Sequence, residues 1–185
     1  PHSRFANHKL MYYICIMKKH NGMRPHDILV LLKIISLGEY SYLKDLSNQL
    51  GISPSEITES VNRSVLAGLI AQDKKTVMRN TLYEFLIHGL PYVFPQKPGA
   101  IVPGIPTAHS APPLNKEFKS SEMYVWPDPK GEVKGQEIIP FHQGQLNAAK
   151  DDLKLYELLA LTDALRVGKA REKQLAAEEL RKRIL

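Results

Sequence analysis

Cysteine is almost missing from these 185 residues, with Cys15 the one thiol. No internal disulfide, no zinc site built on paired cysteines and no CxxC redox motif can therefore form, and a lone thiol suits a reducing cytoplasm. Cys15 sits between Ile14 and Ile16, an apolar setting that disfavours the thiolate a nucleophile needs. Long hydrophobic runs are lacking too. The longest, Ile28 to Leu37, is broken by Lys33 and Ser36 and falls well short of the roughly 20 residues that cross a bilayer, so no membrane span is expected. Enzymatic signatures are also absent. There is no HExxH, no GxSxG, no P-loop and no GxGxxG after a strand, and Gly99 and Gly104 serve a proline-rich segment. Of the seven histidines, His2 and His8 fall in the N-terminal stretch, and His20, His26, His88, His109 and His142 show no ligand spacing. We expect no metal, no cofactor and no enzymatic activity. Trp126, the only tryptophan, reads as a core or interface aromatic.

What the sequence does have is an uneven charge. The formal net charge is +6. Residues 1–99 carry 12 Lys or Arg against 7 Asp or Glu, residues 100–150 balance at 5 and 5, and residues 151–185 carry 8 against 7. A basic excess in the first half suits an anionic partner. Residues 1–17, PHSRFANHKLMYYICIM, place basic residues before a short apolar patch with no small-residue cleavage site; they read as a tag or irregular extension, not a signal peptide.

The chain is organised around Tyr40 to Ile70, YSYLKDLSNQLGISPSEITESVNRSVLAGLI. Leu43, Leu46 and Leu50 recur at helical spacing, and Gly51 ends that helix in a left-handed conformation. Ile52 plugs the turn. Ser53 is an N-cap, Pro54 takes the first helical position, and Glu56 completes the pattern of a capping box. With Ile57 at the centre of the buried face, 100° per residue puts Val61, Ser64, Val65 and Gly68 inside and Ser55, Glu59, Asn62 and Arg63 outside. This stretch, with its Ala67-Gly68-Leu69-Ile70 ending, resembles the MarR-like winged helix-turn-helix transcriptional regulators of prokaryotes. The sequence departs from that pattern at Ser64, where a leucine is usual. The resemblance implies double-stranded DNA as partner, read as a homodimer on a palindromic operator. Ser55, Glu59 and Asn62 would read bases, with Arg63 on a phosphate and Ser53 and Thr58 completing the DNA-binding set.

Upstream, RPHDILVLLKIISLGEY starts a helix at Arg24-Pro25 and stops it at Gly38. Its near-continuous hydrophobicity sets it between other elements and makes it a candidate subunit interface. After Ile70 a helical period runs through Val77, Leu82, Phe85 and Leu86 to Gly89, which reads as an inserted helix where a wing would follow. Lys74, Lys75 and Arg79 at its start are candidate phosphate contacts.

Ten of the 13 prolines fall in residues 91–140. Tyr92-Val93-Phe94-Pro95 and Tyr124-Val125-Trp126-Pro127 are short β-prone runs that could pair, and residues 95–114 between them read as a draped loop. Asp128-Pro129-Lys130-Gly131 is a turn signal, after which Glu132 to Ile139 returns in a hairpin, the candidate wing with Lys130 and Lys134 near its tip. From Gln145 the chain is helical. Leu153, Tyr156, Leu159, Ala160, Asp163, Ala164 and Val167 form one stripe, Gly168 marks a break, and Leu175, Ala176, Leu180 and Ile184 form a thin seam that needs a partner.

The expected fold is mainly α (α+β), a winged helix-turn-helix with an inserted helix, a Pro-rich β-hairpin segment and a C-terminal helical extension. Its parts are an N-terminal extension (1–17), a helix-turn-helix core (18–90), a Pro-rich loop and hairpin (91–145) and C-terminal helices for dimerisation or partner binding (146–185). The expected function is a sequence-specific DNA-binding regulator. Glu56 and Glu59 on the reading helix keep open a protein-interaction module, such as an antitoxin gripping its partner through residues 95–114 or 169–185.

Overall fold

The computed structural model describes residues 22–38 and 43–185. Cys15, His2, His8, His20 and the expected extension over residues 1–17 lie outside the described residues. The chain is mixed α/β, mainly helical with one small three-stranded sheet.

Helix α1 (Pro25–Leu37) begins with proline where a missing N–H costs nothing, and Asp27 accepts the Arg24 N–H at 2.8 Å. It ends at Gly38, whose φ of 74° favours glycine. Ile28 to Leu32 have no exposure at all. Such burial on every side fits the unbroken apolar run, and other elements of the same chain provide the cover.

Helix α2 (Leu43–Leu50) stops at Gly51, Ile52 fills the turn, and α3 (Pro54–Leu66) starts with Ser53 accepting the Glu56 N–H at 3.3 Å. Only half of the expected capping box forms, because the Glu56 carboxylate turns to Arg63 and His26. Ile57 and Val61 are buried, and α3 packs on α1.

The expected inserted helix needs a correction. The chain first makes a tight antiparallel ribbon: Ile70 pairs with Val77, the Ala71 N–H donates to the Thr76 carbonyl at 2.8 Å, and Met78 N–H to the Leu69 carbonyl at 2.9 Å. Only then does α4 (Arg79–Glu84) begin, running through a wide turn at Phe85–Gly89 into α5 (Leu90–Val93). Tyr92 and Val93 are therefore helical, not a strand, because Pro91 in the first turn of α5 is as compatible with a helix as with an edge strand.

The second correction is to the hairpin at 124–139. Strands β1 (Ile101–Pro106), β2 (Tyr124–Pro127) and β3 (Val133–Glu137) close on one another. β1 runs antiparallel to both others, so β2 and β3 are parallel and cannot form a hairpin. Strand β1 lies in the segment expected to drape. Gly104 allows it, since a Cβ there would sit 2.1 Å from the Trp126 carbonyl oxygen.

The C-terminal stripe divides at Asp152, which accepts the Leu155 N–H at 3.0 Å and separates α6 (Gln145–Asp151) from α7 (Leu153–Val167). Leu153, expected inside, is 73% exposed. Helix α8 (Ala170–Ile184) lays Ala176, Leu180 and Ile184, all fully buried, on its own chain, chiefly against α7. Two carboxylates, Asp163 fully buried and Asp152 partly so, tie the layers together. Asp163 on α7 accepts from Thr107 Oγ1 (2.9 Å), Trp126 Nε1 (2.6 Å) and Arg166 Nη1 (2.8 Å). Full burial pushes that carboxyl up, against the pull of Arg166, Trp126 and Thr107. Lys33 Nζ donates to Asp152 at 2.8 Å, joining α1 to the start of α7.

Candidate functional site

Helix α3 turns Ser53, Ser55, Thr58 and Glu59 to solvent and leaves Asn62 half-buried. Thr58 spends its hydroxyl proton on the Pro54 carbonyl at 2.9 Å, keeping its acceptor lone pairs.

Arg63 overturns its expected place. It is 8% exposed, with Nε donating to Asp27 Oδ2 at 2.9 Å and Nη2 to Asp27 Oδ1 at 2.7 Å. Nη2 also reaches Glu56 Oε1 at 2.9 Å, and His26 Nε2 lies 2.9 Å from it. The helix phase puts Arg63 on the boundary between faces, and a buried carboxylate on α1 decides the side. Asp27 holds the guanidinium further above its ordinary value. Desolvation alone would raise Glu56, but Arg63 and His26 together hold it below the usual range. Arg63 is thus the rivet between α1 and α3, and the outward face of α3 carries no cation.

The other basic residues expected at the DNA are scattered. Lys74 and Lys75 occupy the turn of the 69–78 ribbon, next to α3 in the chain. That turn is fixed by Asp73, which accepts from the Thr76 hydroxyl and from the N–H groups of Thr76 and Lys75. These bonds, Thr76 first, draw the Asp73 carboxyl down to about 2. Arg79 instead faces the other way and donates to the Ile184 carbonyl at 2.7 Å. Lys130 and Lys134 are exposed on the sheet, which packs on α7 through Trp126 and not on α3.

A cleft with no signature in the sequence lies behind the ribbon. One lobe of about 420 Å³ and another of about 440 Å³ meet at Ile35, Gly38 and Arg79. Its walls come from α1, the ribbon, α4, α7 and α8, elements far apart in the chain. No helix among the described residues is long and apolar enough to cross a membrane, and no group of three or more His, Cys, Asp or Glu among them is arranged to hold a metal. Comparison with protein-family models, curated proteins and solved structures returned no match.

Proposed function

We propose that residues 22–78 act as a winged helix-turn-helix that binds double-stranded DNA, with α3 in the major groove and the 69–78 ribbon as the wing. The observation that carries this reading is the ribbon. A capped two-helix turn followed at once by a two-stranded ribbon with Lys74 and Lys75 in its turn supports this reading, since a wing with cations would accompany a polar, short-side-chain reading helix in that order. Ser55, Thr58, Glu59 and Asn62 would read base edges, and the wing lysines would neutralise phosphates. A regulator of transcription in two copies on a palindromic operator remains the biological form of this proposal. The second copy would have to meet the first through surface other than α1 and the α8 seam, since both are covered within the chain.

A second reading is favoured by one specific observation. With Arg63 withdrawn, the outward side of α3 offers Glu59 and, at its end, Leu66 at 69% exposure, a composition that suits a protein groove better than a phosphate backbone. Fluorescence anisotropy of a labelled random duplex across a salt series separates the two. Binding that weakens with salt supports the DNA reading; no binding at about 50 mM salt, where counterion release is most favourable, transfers the function to a protein partner.

A further inference from the structure

The cleft behind the ribbon has an apolar floor and a charged rim. Ile35 and Leu158, 8% and 2% exposed, floor one lobe, and Val77, at 8%, lines the other. Together the lobes are of the size that holds small organic ligands, roughly 300–1,000 Å³.

The rim charges do not cancel. Glu157 is answered by Arg183 Nε at 2.9 Å, and Arg183 is itself also held by Glu179. Asp73 is engaged in its turn by Thr76 and Lys75. Arg79 commits one nitrogen to the Ile184 carbonyl, and its other donors have no partner among the described residues. The Lys154 ammonium has none there either, whereas the Lys75 charge is answered by Asp73, which stays ionised because its hydrogen bonds come from neutral donors. Among the described residues, Arg79 and Lys154 are therefore the two cations lining the cleft that no carboxylate answers. The C-terminal end of α1, at Gly38, contributes about half an elementary charge of opposite sign, which does not offset them.

We propose that this cleft binds a small amphipathic organic anion, its acidic group held between Arg79 and Lys154 and its apolar body on Ile35 and Leu158. The site stands on its own whether α3 meets DNA or protein. The variants that test it avoid Lys75, so the two readings fail separately.

The test is titration of the full chain with 8-anilinonaphthalene-1-sulfonate, read by fluorescence, with near-UV circular dichroism confirming the native fold. Saturable one-site binding is expected. Loss of one charge-assisted contact should weaken it about tenfold in Lys154→Glu and again in Arg79→Gln, while Lys119→Glu, on distant exposed surface, stays within about twofold of the parent. Octanoate should displace the dye and octylamine should not. Lys154→Glu keeps the test decisive should Arg79→Gln fold poorly, because Lys154 holds no described contact. The proposal is overturned if no saturable binding occurs, if Lys154→Glu binds like the parent, if Lys119→Glu loses as much as Lys154→Glu, or if octylamine displaces the dye as well as octanoate does.

Discussion

A guanidinium that is 8% exposed, gripped by a carboxylate with no exposure, cannot reach a phosphate without breaking the grip. Arg63→Ala should therefore cost stability and not merely affinity. Removing one partner leaves Asp27 charged and buried, a loss of about 3–5 kcal/mol, and urea denaturation of the parent and variant measures it. A variant as stable as the parent would return Arg63 to the outer face. Beneath the same helix, the Ser60 and Ser64 hydroxyls are fully buried with no hydrogen-bond partner among the described residues. Ser64 stands where the resembling pattern has leucine, and the close packing of α1 on α3 leaves room for a small side chain. Ser64→Ala should raise stability by about 1 kcal/mol, since it removes an unpaired buried hydroxyl without opening much space. The burial of Ser64 follows from the helical phase, and that of Arg63 does not. The helical phase fixes Ile57 and Val61 well because they lie at the middle of the stripe, but Arg63 lies at its edge, and its partner Asp27 is 36 residues earlier.

At the scale of elements, what was legible is what local chemistry decides. Arg24-Pro25, Gly38, Gly51, Ser53-Pro54 and Gly168 each end or begin a helix at the residue expected, because caps and left-handed glycines act within one turn. The ribbon was hidden because it rests on a single bridged pair, and Val77 also fits the helical period that continues through Leu82. Strand β1 was hidden because its partners, β2 from Tyr124 and β3 from Val133, lie far along the chain and proline composition argued for a loop. The ribbon's Asp73 gives a pH signature. Its carboxyl sits at about 2 in the folded chain, below its ordinary 3.8, so the support it gives the turn is present above that ordinary value and is lost as pH falls through about 2. The Thr76 amide resonance, followed by NMR, should shift along that titration; an unchanged resonance would mean that Asp73 does not hold the turn. Helix α8 makes a sharper case. Its thin seam suggested a dimer contact, yet Leu180 and Ile184 are fully buried within the chain, each worth about 1.5–3 kcal/mol of burial. A chain ending at Gly168 should lose cooperative thermal unfolding instead of shifting from dimer to monomer. Circular dichroism melting decides it, and a sharp transition near that of the full chain would show α8 to be dispensable.

For the whole molecule, net charge overstates the cations that can meet a nucleic acid at α3. Of the cations expected at the DNA, Arg63 is buried, Arg79 turns to α8, and Lys130 and Lys134, expected near a wing tip, ride on a sheet packed elsewhere. Among the described residues, Arg24 beside α3 is tied to Glu56 at 3.3 Å, and Lys44, Lys74 and Lys75, all exposed, are what stays on the α2, α3 and ribbon side. If each neutralises one phosphate, log affinity against log salt should have a slope near −2.7 per copy, so random-duplex binding should fall about 40-fold between 50 and 200 mM salt. Two copies binding together would roughly double the slope and raise the loss to about 10³-fold, so the same titration reads the number of chains on the duplex. Lys75→Ala should reduce the slope by about one unit per copy while leaving the fold intact, and Lys130→Ala should leave it unchanged. A slope of −6 or steeper for a complex shown by sedimentation to contain one chain would require about twice the phosphate contacts this face offers, and the binding surface would then have to be sought on the sheet or on α8 instead.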